Sequence, residues 1–209
     1  MCGMAVPFRL QPLPYCGYAA AYLMIRISRD NPCYYLTSVA KDRLPVFRSE
    51  VIKQIVCDAL DEARKSGDIL IFAYVIMPDH THLITDGRRE ISEVLRYTNG
   101  ISAKRILDYL KNNEFVASLN KLRQEEKRKG YKYSVWQHHP NAFRIEGEDT
   151  FMQKVNYIHQ NPVRASLVER AEDYRFSSAR LWKGNPLDDE PLITDHRQID
   201  WRAAKPQRF

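Results

Sequence analysis

The chain has 209 residues, of which 44% are hydrophobic and 28% are charged. This composition is typical of a folded globular protein and excludes a disordered or low-complexity one. The longest apolar run, residues 69–77, is far shorter than the roughly 18 residues of a membrane span, so we expect a soluble protein without a membrane partner. The formal net charge of +6 is compatible with a polyanionic partner but does not by itself identify one.

The two ends of the chain and its cysteines indicate how the chain is divided into segments and which cellular compartment it occupies. Residues 1–15 lack a basic stretch followed by an apolar one, so we expect no secretory signal. The cysteines show no CxxC spacing, which argues against a zinc ribbon or a disulfide framework and favours a reducing cytoplasm. Prolines interrupt residues 1–32, which we interpret as an N-terminal arm; residues 33–182 form the predicted domain, and residues 183–209 a C-terminal tail.

The first half of the domain alternates between strand and helix patterns. Residues 34–40 are predicted to form a strand, and a helix follows with Ser49 as its N-cap and Gly67 as its stop. The apolar run at 69–77 predicts a buried strand, a turn at 78–79 and a returning strand over 80–85. Apolar positions then recur at helical spacing over 91–110, with Gly100 as a weak point in that helix.

The second half continues the same alternation. Residues 120–132 are predicted to be a charged helix or loop, and residues 133–145 another strand, interrupted near Pro140. A helix should begin at Thr150, whose spacing from Gln153 is that of a capping box. This order predicts an α+β, ferredoxin-like split βαβ fold, in which helices pack on one face of an antiparallel sheet and the other face is available for a site.

His80 and His82 lie two residues apart on a predicted strand. Their side chains therefore leave the same face, with Cβ atoms roughly 7 Å apart, from which two imidazoles can reach one metal ion. The alternative is that both are ordinary polar residues on a solvated sheet face.

Tyr157 and Asn161 lie one turn apart on the last predicted helix, with Lys154 a turn earlier on the same side. We expect Pro162 to end the helix and leave the Asn161 amide at the break, where its oxygen could bind a ligand. The helix alone equally permits Tyr157 to be an aromatic at the edge of the core and Asn161 to be a C-terminal cap.

Together these residues suggest phosphodiester chemistry. Two neutral imidazoles and one amide oxygen could hold a divalent cation with open coordination positions, and such a cation polarises a phosphodiester. Tyr157 would be the nucleophile, and its attack on DNA would give a phosphotyrosine and a free 3′-hydroxyl that can later reverse the step. Strands could then be joined without an external energy source.

Several motifs in order resemble the HUH single-tyrosine transposases, and in particular their REP-associated tyrosine transposase branch. The resemblance spans roughly residues 33–182 and rests on VIMPDHTHLI, VWQ, YIHQNPVRASLV and DYRFSSARLW. It implies that His80 and His82 are metal ligands, that Tyr157 is the nucleophile and that Asn161 supplies the third ligand. It also implies Mg²⁺ or Mn²⁺ as the cofactor and single-stranded or hairpin DNA as the partner. The DNA would come from palindromic repeats in a bacterial genome, which implies a cytoplasmic protein associated with the nucleoid.

Three residues depart from that family's usual pattern. Thr81 replaces a hydrophobic residue, but it should point away from both histidines and affect metal binding little. Asp79 stands where Asn is common; it either orients a histidine or shapes the turn, and the turn is the favoured interpretation. Ser166 replaces a frequent Gly, which affects the way the helix ends but not the chemistry.

Basic and aromatic residues elsewhere are candidates for DNA contact. Arginines, lysines and aromatic rings could neutralise phosphates and stack on bases. The candidates are Lys154, Lys104, Arg105, Lys127, Arg128, Lys129 and, for stacking, Trp136. A charge run is equally often only a solvated face.

The sequence therefore leaves three functions in view. The leading one is a metal-dependent transposase that nicks DNA through Tyr157. A second is a non-catalytic DNA-hairpin-binding protein on the same fold. A third is a zinc hydrolase that uses His80, His82 and a distant ligand, disfavoured because no HxHxD extension or nearby glutamate base follows. The protein could be a monomer, or a homodimer that shares sites if the tyrosine helix is swapped.

Overall fold

The computed structural model describes residues 24–124, 132–138 and 140–202. Within these residues the strands are β1 (Cys33–Val39), β2 (Ile71–Ile76), β3 (His80–Asp86) and β4 (Asn141–Ile145). The α-helices are α1 (Glu50–Ser66), α2 (Ile91–Asn112), α3 (Val116–Leu122), α4 (Glu148–Arg164) and α5 (Ala179–Trp182). Most of the predicted arm, the predicted DNA contacts Lys127, Arg128 and Lys129, and the end of the predicted tail lie outside the described residues.

The strands form one antiparallel sheet in the order β2-β3-β1-β4. This order, with α1 between β1 and β2 and α2 between β3 and β4, is that of the split βαβ unit, so the predicted α+β, ferredoxin-like fold is confirmed. Leu36 lies opposite Leu83, and Thr37 lies opposite His82. Residues paired in this way share a face of the sheet, so the register decides which side chains can meet.

The two faces of the sheet carry different helices. On one face Ser38 of β1 hydrogen-bonds to Asn99 of α2 at 3.0 Å, and α1 packs beside α2. On the other face α4 packs against β2 and β3, with Phe151 in edge contact with Phe72. Helix α4 thus occupies part of the face that the first two helices leave open. No helix among the described residues has the length and apolar character that a membrane crossing requires.

Most predicted elements are present, with local differences in extent. Ser49 accepts a hydrogen bond from the Ile52 N–H at the start of α1, as predicted, and α2 continues unbroken through Gly100. A Cβ at Gly100 would meet no atom within 4 Å, so glycine there serves no packing need. The strand predicted over 133–145 is regular only at 141–145; before Pro140 the chain forms only isolated bridges, such as that between Trp136 and Ala40.

Helix α4 differs from its prediction at both ends. It begins at Glu148 after Gly147, without a capping side chain, so the predicted start at Thr150 is wrong. The predicted break at Asn161 is also wrong, because the helix continues through Pro162 to Arg164. Pro162 lies only two residues before the end of α4, so little of the helix follows the hydrogen bond that its missing N–H removes, and the residue is buried.

A Schellman motif ends α4. The Ser166 N–H donates to the Val163 carbonyl, and the Leu167 N–H donates to the Pro162 carbonyl, both at 2.9 Å. Ser166 takes the left-handed conformation, with φ of 54°, that glycine usually supplies at this position. The helix end that a glycine would favour therefore forms despite the serine.

The chain after α4 returns to the outer edge of β2. The Tyr174 hydroxyl donates to the Ile76 carbonyl at 2.8 Å, and the Trp182 indole N–H donates to the Phe72 carbonyl at 2.9 Å. The Asp195 carboxylate accepts the Ile71 N–H at 3.0 Å. These bonds satisfy backbone groups that an edge strand would otherwise expose.

Replacing Ser166 with glycine should raise the free energy of unfolding by about 1 kcal/mol, because glycine adopts positive φ without the clash of a Cβ. The matched control is Ala165→Gly, one residue earlier at φ −84°, which should lower it by roughly 0.5–1 kcal/mol. Urea unfolding followed by circular dichroism measures both. A decrease in both variants would contradict the left-handed assignment.

Candidate functional site

His80 and His82 project from β3 onto the face of the sheet that α4 shares. Their ring centroids are 4.8 Å apart, and the ring planes are inclined at 73°. The alternation of side chains along the strand thus brings the two imidazoles together, as the sequence predicts.

Asp79 fixes the orientation of His80. Its Oδ1 lies 2.6 Å from the His80 Nδ1, and its Oδ2 accepts a hydrogen bond from Arg43 at 3.1 Å. Burial alone would raise the pKa of Asp79, but the hydrogen bonds from His80 and Arg43 outweigh it and hold the pKa below its usual value. A carboxylate can only accept, so the His80 Nδ1 carries a proton and, in the neutral ring, Nε2 carries the lone pair. Asp79 thus does more than shape the turn.

His82 is held by two hydroxyl groups of β1. Its Nδ1 lies 2.8 Å from the Tyr35 hydroxyl and 2.9 Å from the Thr37 hydroxyl. Burial, followed by the charges of His80, Arg164 and Lys154, outweighs the opposing effect of Asp79 and lowers the pKa of His82 to about 3. The ring is therefore neutral at physiological pH. When Nδ1 donates its proton to a hydroxyl oxygen, Nε2 has a lone pair for a ligand.

Tyr157 reaches the histidines from α4. Its ring centroid is 5.6 Å from that of His82, and its side chain is 42% exposed. Asn161 lies one turn further along α4, and its Nδ2 donates to the Tyr157 carbonyl at 2.8 Å, so Oδ1 is the atom that could bind a ligand. Tyr157 is thus neither sealed in the core nor remote from the histidines.

These side chains surround one open cavity of about 530 Å³. That volume is ordinary for a ligand site. The lining residues are Tyr35, Thr37, Val39, Arg43, His80, His82, Asn141, Lys154, Tyr157 and Asn161. A single chain brings the predicted ligands and the predicted nucleophile to the same cavity.

Two cations stand beside Tyr157. The Lys154 Nζ lies 4.9 Å from the ring centroid of Tyr35, and the Arg164 Cζ lies 4.3 Å from that of Tyr157. Among the described residues, no carboxylate lies within ion-pair distance of either cation. The cavity is therefore bordered by uncompensated positive charge, which favours an anionic ligand.

Among the residues that contact Tyr157 or His82, sequence reasoning missed Arg164, Tyr35 and Thr37. Arg164 lies seven residues, or about two turns, beyond Tyr157, so helical spacing could have found it. Tyr35 and Thr37 are brought to His82 by the antiparallel register, for which the sequence carries no local signal.

The remaining predicted DNA contacts lie elsewhere. Lys104 and Arg105 belong to α2, on the opposite face of the sheet, and Arg105 is ion-paired with Glu62. Trp136 is only 8% exposed, and its indole N–H donates to the Asn99 carbonyl at 3.1 Å. This burial argues against the predicted stacking of Trp136 on a DNA base.

The donor atoms at the cavity fit a divalent cation. Among the described residues, no group of three or more histidine, cysteine, aspartate or glutamate side chains lies close enough to hold a metal ion. The set at the cavity is instead mixed, with two imidazoles oriented through their Nδ1 atoms and the amide oxygen of Asn161. Neutral nitrogen and amide oxygen donors suit first-row divalent ions.

Comparison with known proteins gives a family and a fold. The family model described as "Transposase IS200 like" matches residues 29–161, almost two thirds of the chain, and this range includes His80, His82, Tyr157 and Asn161. A solved REP-associated tyrosine transposase, bound to a REP hairpin, superposes with a TM-score of 0.54 at 17% identity, covering 87% of this chain and 93% of that one.

Other comparisons add less. A protein from Deinococcus radiodurans R1, named as a candidate transposase, gives a TM-score of 0.41 at 20% identity over 70% of this chain and 97% of its own. The search of curated proteins finds no match.

In the metal-free protein, His82 should titrate with a pKa of about 3. Its unfolded pKa is near 6.5, so this group should destabilise the fold as the pH falls from about 6.5 towards 3. Arg164→Gln removes one of the charges that lower the pKa and should raise it. Histidine-selective NMR, with His82→Gln for assignment, measures the titration.

The control for that titration is Arg175→Gln, which removes an arginine whose ion pair with Asp189 lies outside the cavity. It should leave the His82 pKa unchanged. A His82 that titrates near 6.5, or one whose pKa does not respond to Arg164→Gln, would contradict the described electrostatics.

Proposed function

This chain belongs to the IS200-like transposase family, and from that membership we propose that it nicks and rejoins single-stranded DNA through Tyr157. The observation that carries the proposal is the approach of an exposed tyrosine to within 5.6 Å of the His82 ring centroid, at a cavity that Asn161 also lines. A tyrosine with only a packing role would not need this exposure.

The reaction follows from the chemistry of a phenol and a phosphodiester. The Tyr157 oxygen attacks the phosphorus, the bond from phosphorus to the 3′-oxygen breaks, and the products are a 5′-phosphotyrosine and a 3′-hydroxyl. The phenol proton passes to solvent, and the leaving oxygen takes up a proton. Because the phosphotyrosine retains the energy of the broken phosphodiester, a 3′-hydroxyl can attack it and rejoin the strands.

Tyr35 is the other tyrosine at the cavity, and it is unsuited to attack. Burial raises the pKa of Tyr35 to about 12, and its hydroxyl is engaged with His82. Its role is to hold the imidazole, whereas the exposed Tyr157 can reach a substrate that enters from solvent.

We assign the cation site to His80, His82 and Asn161. When bound there, Mg²⁺ or Mn²⁺ would polarise the phosphodiester and stabilise the charge that develops on it. The histidines are suited to bind the cation because Asp79 and the hydroxyls of β1 hold their Nδ1 atoms. The Nε2 atom of each ring is then free to coordinate the cation. Two nitrogen donors favour Mn²⁺ over Mg²⁺, which prefers oxygen.

Lys154 and Arg164 would bind the phosphates of the substrate. Both stand beside Tyr157, and an incoming phosphate would supply the negative charge that the described residues do not. The solved REP-associated relative is bound to a REP hairpin. We propose hairpin DNA with an unpaired segment as the substrate class of this chain also, with the unpaired segment at the cavity.

Incubation of the protein with a hairpin oligonucleotide and Mn²⁺ should give a denaturation-resistant covalent adduct, which Tyr157→Phe should abolish because phenylalanine has no nucleophilic oxygen. Gel electrophoresis of labelled DNA measures the adduct. The matched control is Tyr97→Phe on α2, at the opposite face of the sheet, which should form the adduct normally. Equal adduct in the Tyr157→Phe variant would exclude Tyr157 as nucleophile, and binding without adduct in the wild type would favour a non-catalytic hairpin-binding protein.

The same assay tests whether one chain holds a whole site. A mixture of Tyr157→Phe and His82→Ala proteins should remain inactive, because each chain then lacks part of its own site. Recovered activity in the mixture would show instead that α4 is exchanged between two chains.

Mn²⁺ should bind the protein with higher affinity than Mg²⁺, and His82→Ala should weaken Mn²⁺ binding by at least tenfold, because it removes one of two nitrogen ligands. Isothermal titration calorimetry without DNA measures this directly. His138→Ala removes an exposed histidine outside the cavity and should bind Mn²⁺ like the wild type. Unchanged affinity in His82→Ala would place the metal elsewhere.

A further inference from the structure

Phe143 is an exposed aromatic residue that the proposed reaction leaves without a role. It lies on β4, which is an edge strand of the sheet, and its side chain is 46% exposed. Its cross-strand partner is Tyr35, so it shares the sheet face of the cavity. Asn141, which lines the cavity, lies two residues earlier on β4, roughly 7 Å away. Phe143 is therefore the next residue on this face of β4 as the strand leaves the cavity.

Phe143 belongs to a row of alternating aromatic and cationic groups. The Lys154 Nζ lies 4.9 Å from the Phe143 ring centroid and 6.0 Å from that of Tyr157. The Arg164 Cζ lies 4.3 Å from the Tyr157 ring centroid, and Arg164 follows Tyr157 along α4. The order Phe143, Lys154, Tyr157, Arg164 thus runs across α4 from the sheet edge to the helix end.

We propose that Phe143 is the stacking platform for an unpaired base next to the scissile phosphate, with Lys154 contacting the phosphate between that base and Tyr157. This inference rests on the proposed function, because it takes the unpaired segment of a DNA substrate as the ligand. Proteins that bind single strands combine a cationic track for phosphates with aromatic rings for bases, and this row supplies both in alternation.

The positive charge of this row favours DNA, rather than a second copy of the chain, as the partner that covers Phe143. An exposed ring on an edge strand could also mark an interface between two copies of this chain. A symmetric pairing there would bring the Lys154 side chains of both copies together without a described carboxylate to compensate them. A polyanion instead neutralises Lys154 and Arg164 while its bases cover the ring, so single-stranded DNA is the occupant that satisfies both features.

The test measures DNA affinity without cleavage, in EDTA, by fluorescence anisotropy. The probes are a hairpin oligonucleotide with a single-stranded extension and a series in which one base at a time is replaced by an abasic site. Wild-type protein should lose roughly tenfold in affinity at one abasic position, since a stacked base contributes about 1–3 kcal/mol. Phe143→Ala should bind the intact probe with an affinity lower by a similar factor. Its affinity should fall little further when the base at that position is removed.

Controls separate stacking from folding and charge. Phe115→Ala removes a comparably exposed ring next to α3, away from the cavity, and should bind like the wild type. Phe143→Trp should retain affinity, because tryptophan also stacks. Lys154→Met should reduce the slope of log affinity against log salt by about 0.7, the value for one phosphate contact with a single strand.

Three results would overturn the role of Phe143. The first is an unchanged DNA affinity in Phe143→Ala. The second is a loss of affinity in Phe143→Ala that is the same on the intact probe and on every abasic probe. The third is a changed oligomeric state of Phe143→Ala in sedimentation with an unchanged DNA affinity, which would identify an interface between copies. The proposed function is judged separately by the wild type. If the wild type forms the Tyr157 adduct while Phe143→Ala binds normally, only the stacking role fails; if the wild type binds no single-stranded DNA, both fail.

Discussion

The packing of α4 across the sheet face that carries His80 and His82 is the constraint on which the site depends. The helix presents two adjacent stripes at helical spacing. The buried stripe is Phe151, Val155, Ile158 and Pro162, and beside it lie Lys154, Tyr157, Asn161 and Arg164. Burial of the first stripe against the sheet fixes the rotation of the helix, so the second stripe must meet the cavity. The packing of this apolar stripe therefore sets the distance from the phenol to the imidazoles.

The polar groups then set the charge of the cavity. Burial and neighbouring cations keep His82 neutral, the Asp79 carboxylate and the hydroxyls of β1 engage both Nδ1 atoms, and the cations that border Tyr157 have no described carboxylate partner. This arrangement favours a phosphate anion beside Tyr157, and it leaves the Nε2 atoms of the two histidines available for a metal ion. The same side chains that lower the pKa of His82 are thus the ones that would bind the backbone of DNA.

The parts of this site that depend on local periodicity could be predicted from the sequence. A spacing of two on a strand placed His80 and His82 on one face, and a spacing of four placed Tyr157 above Asn161. Tyr35 and Phe143 could not be found, because they reach the site through the register of β1 with its neighbours, which long-range packing decides. A local rule predicts a helix break before Pro162, but burial of the proline and the Schellman motif outweigh that rule.

The central claim is that the oxygen of Tyr157 forms the covalent bond to DNA. Mass spectrometry of peptides from the protein after reaction with DNA and Mn²⁺, followed by nuclease digestion, locates that bond directly. We expect a nucleotide attached to the peptide that contains Tyr157, and to that tyrosine within it. A nucleotide on any other residue, such as Tyr35, would contradict the account.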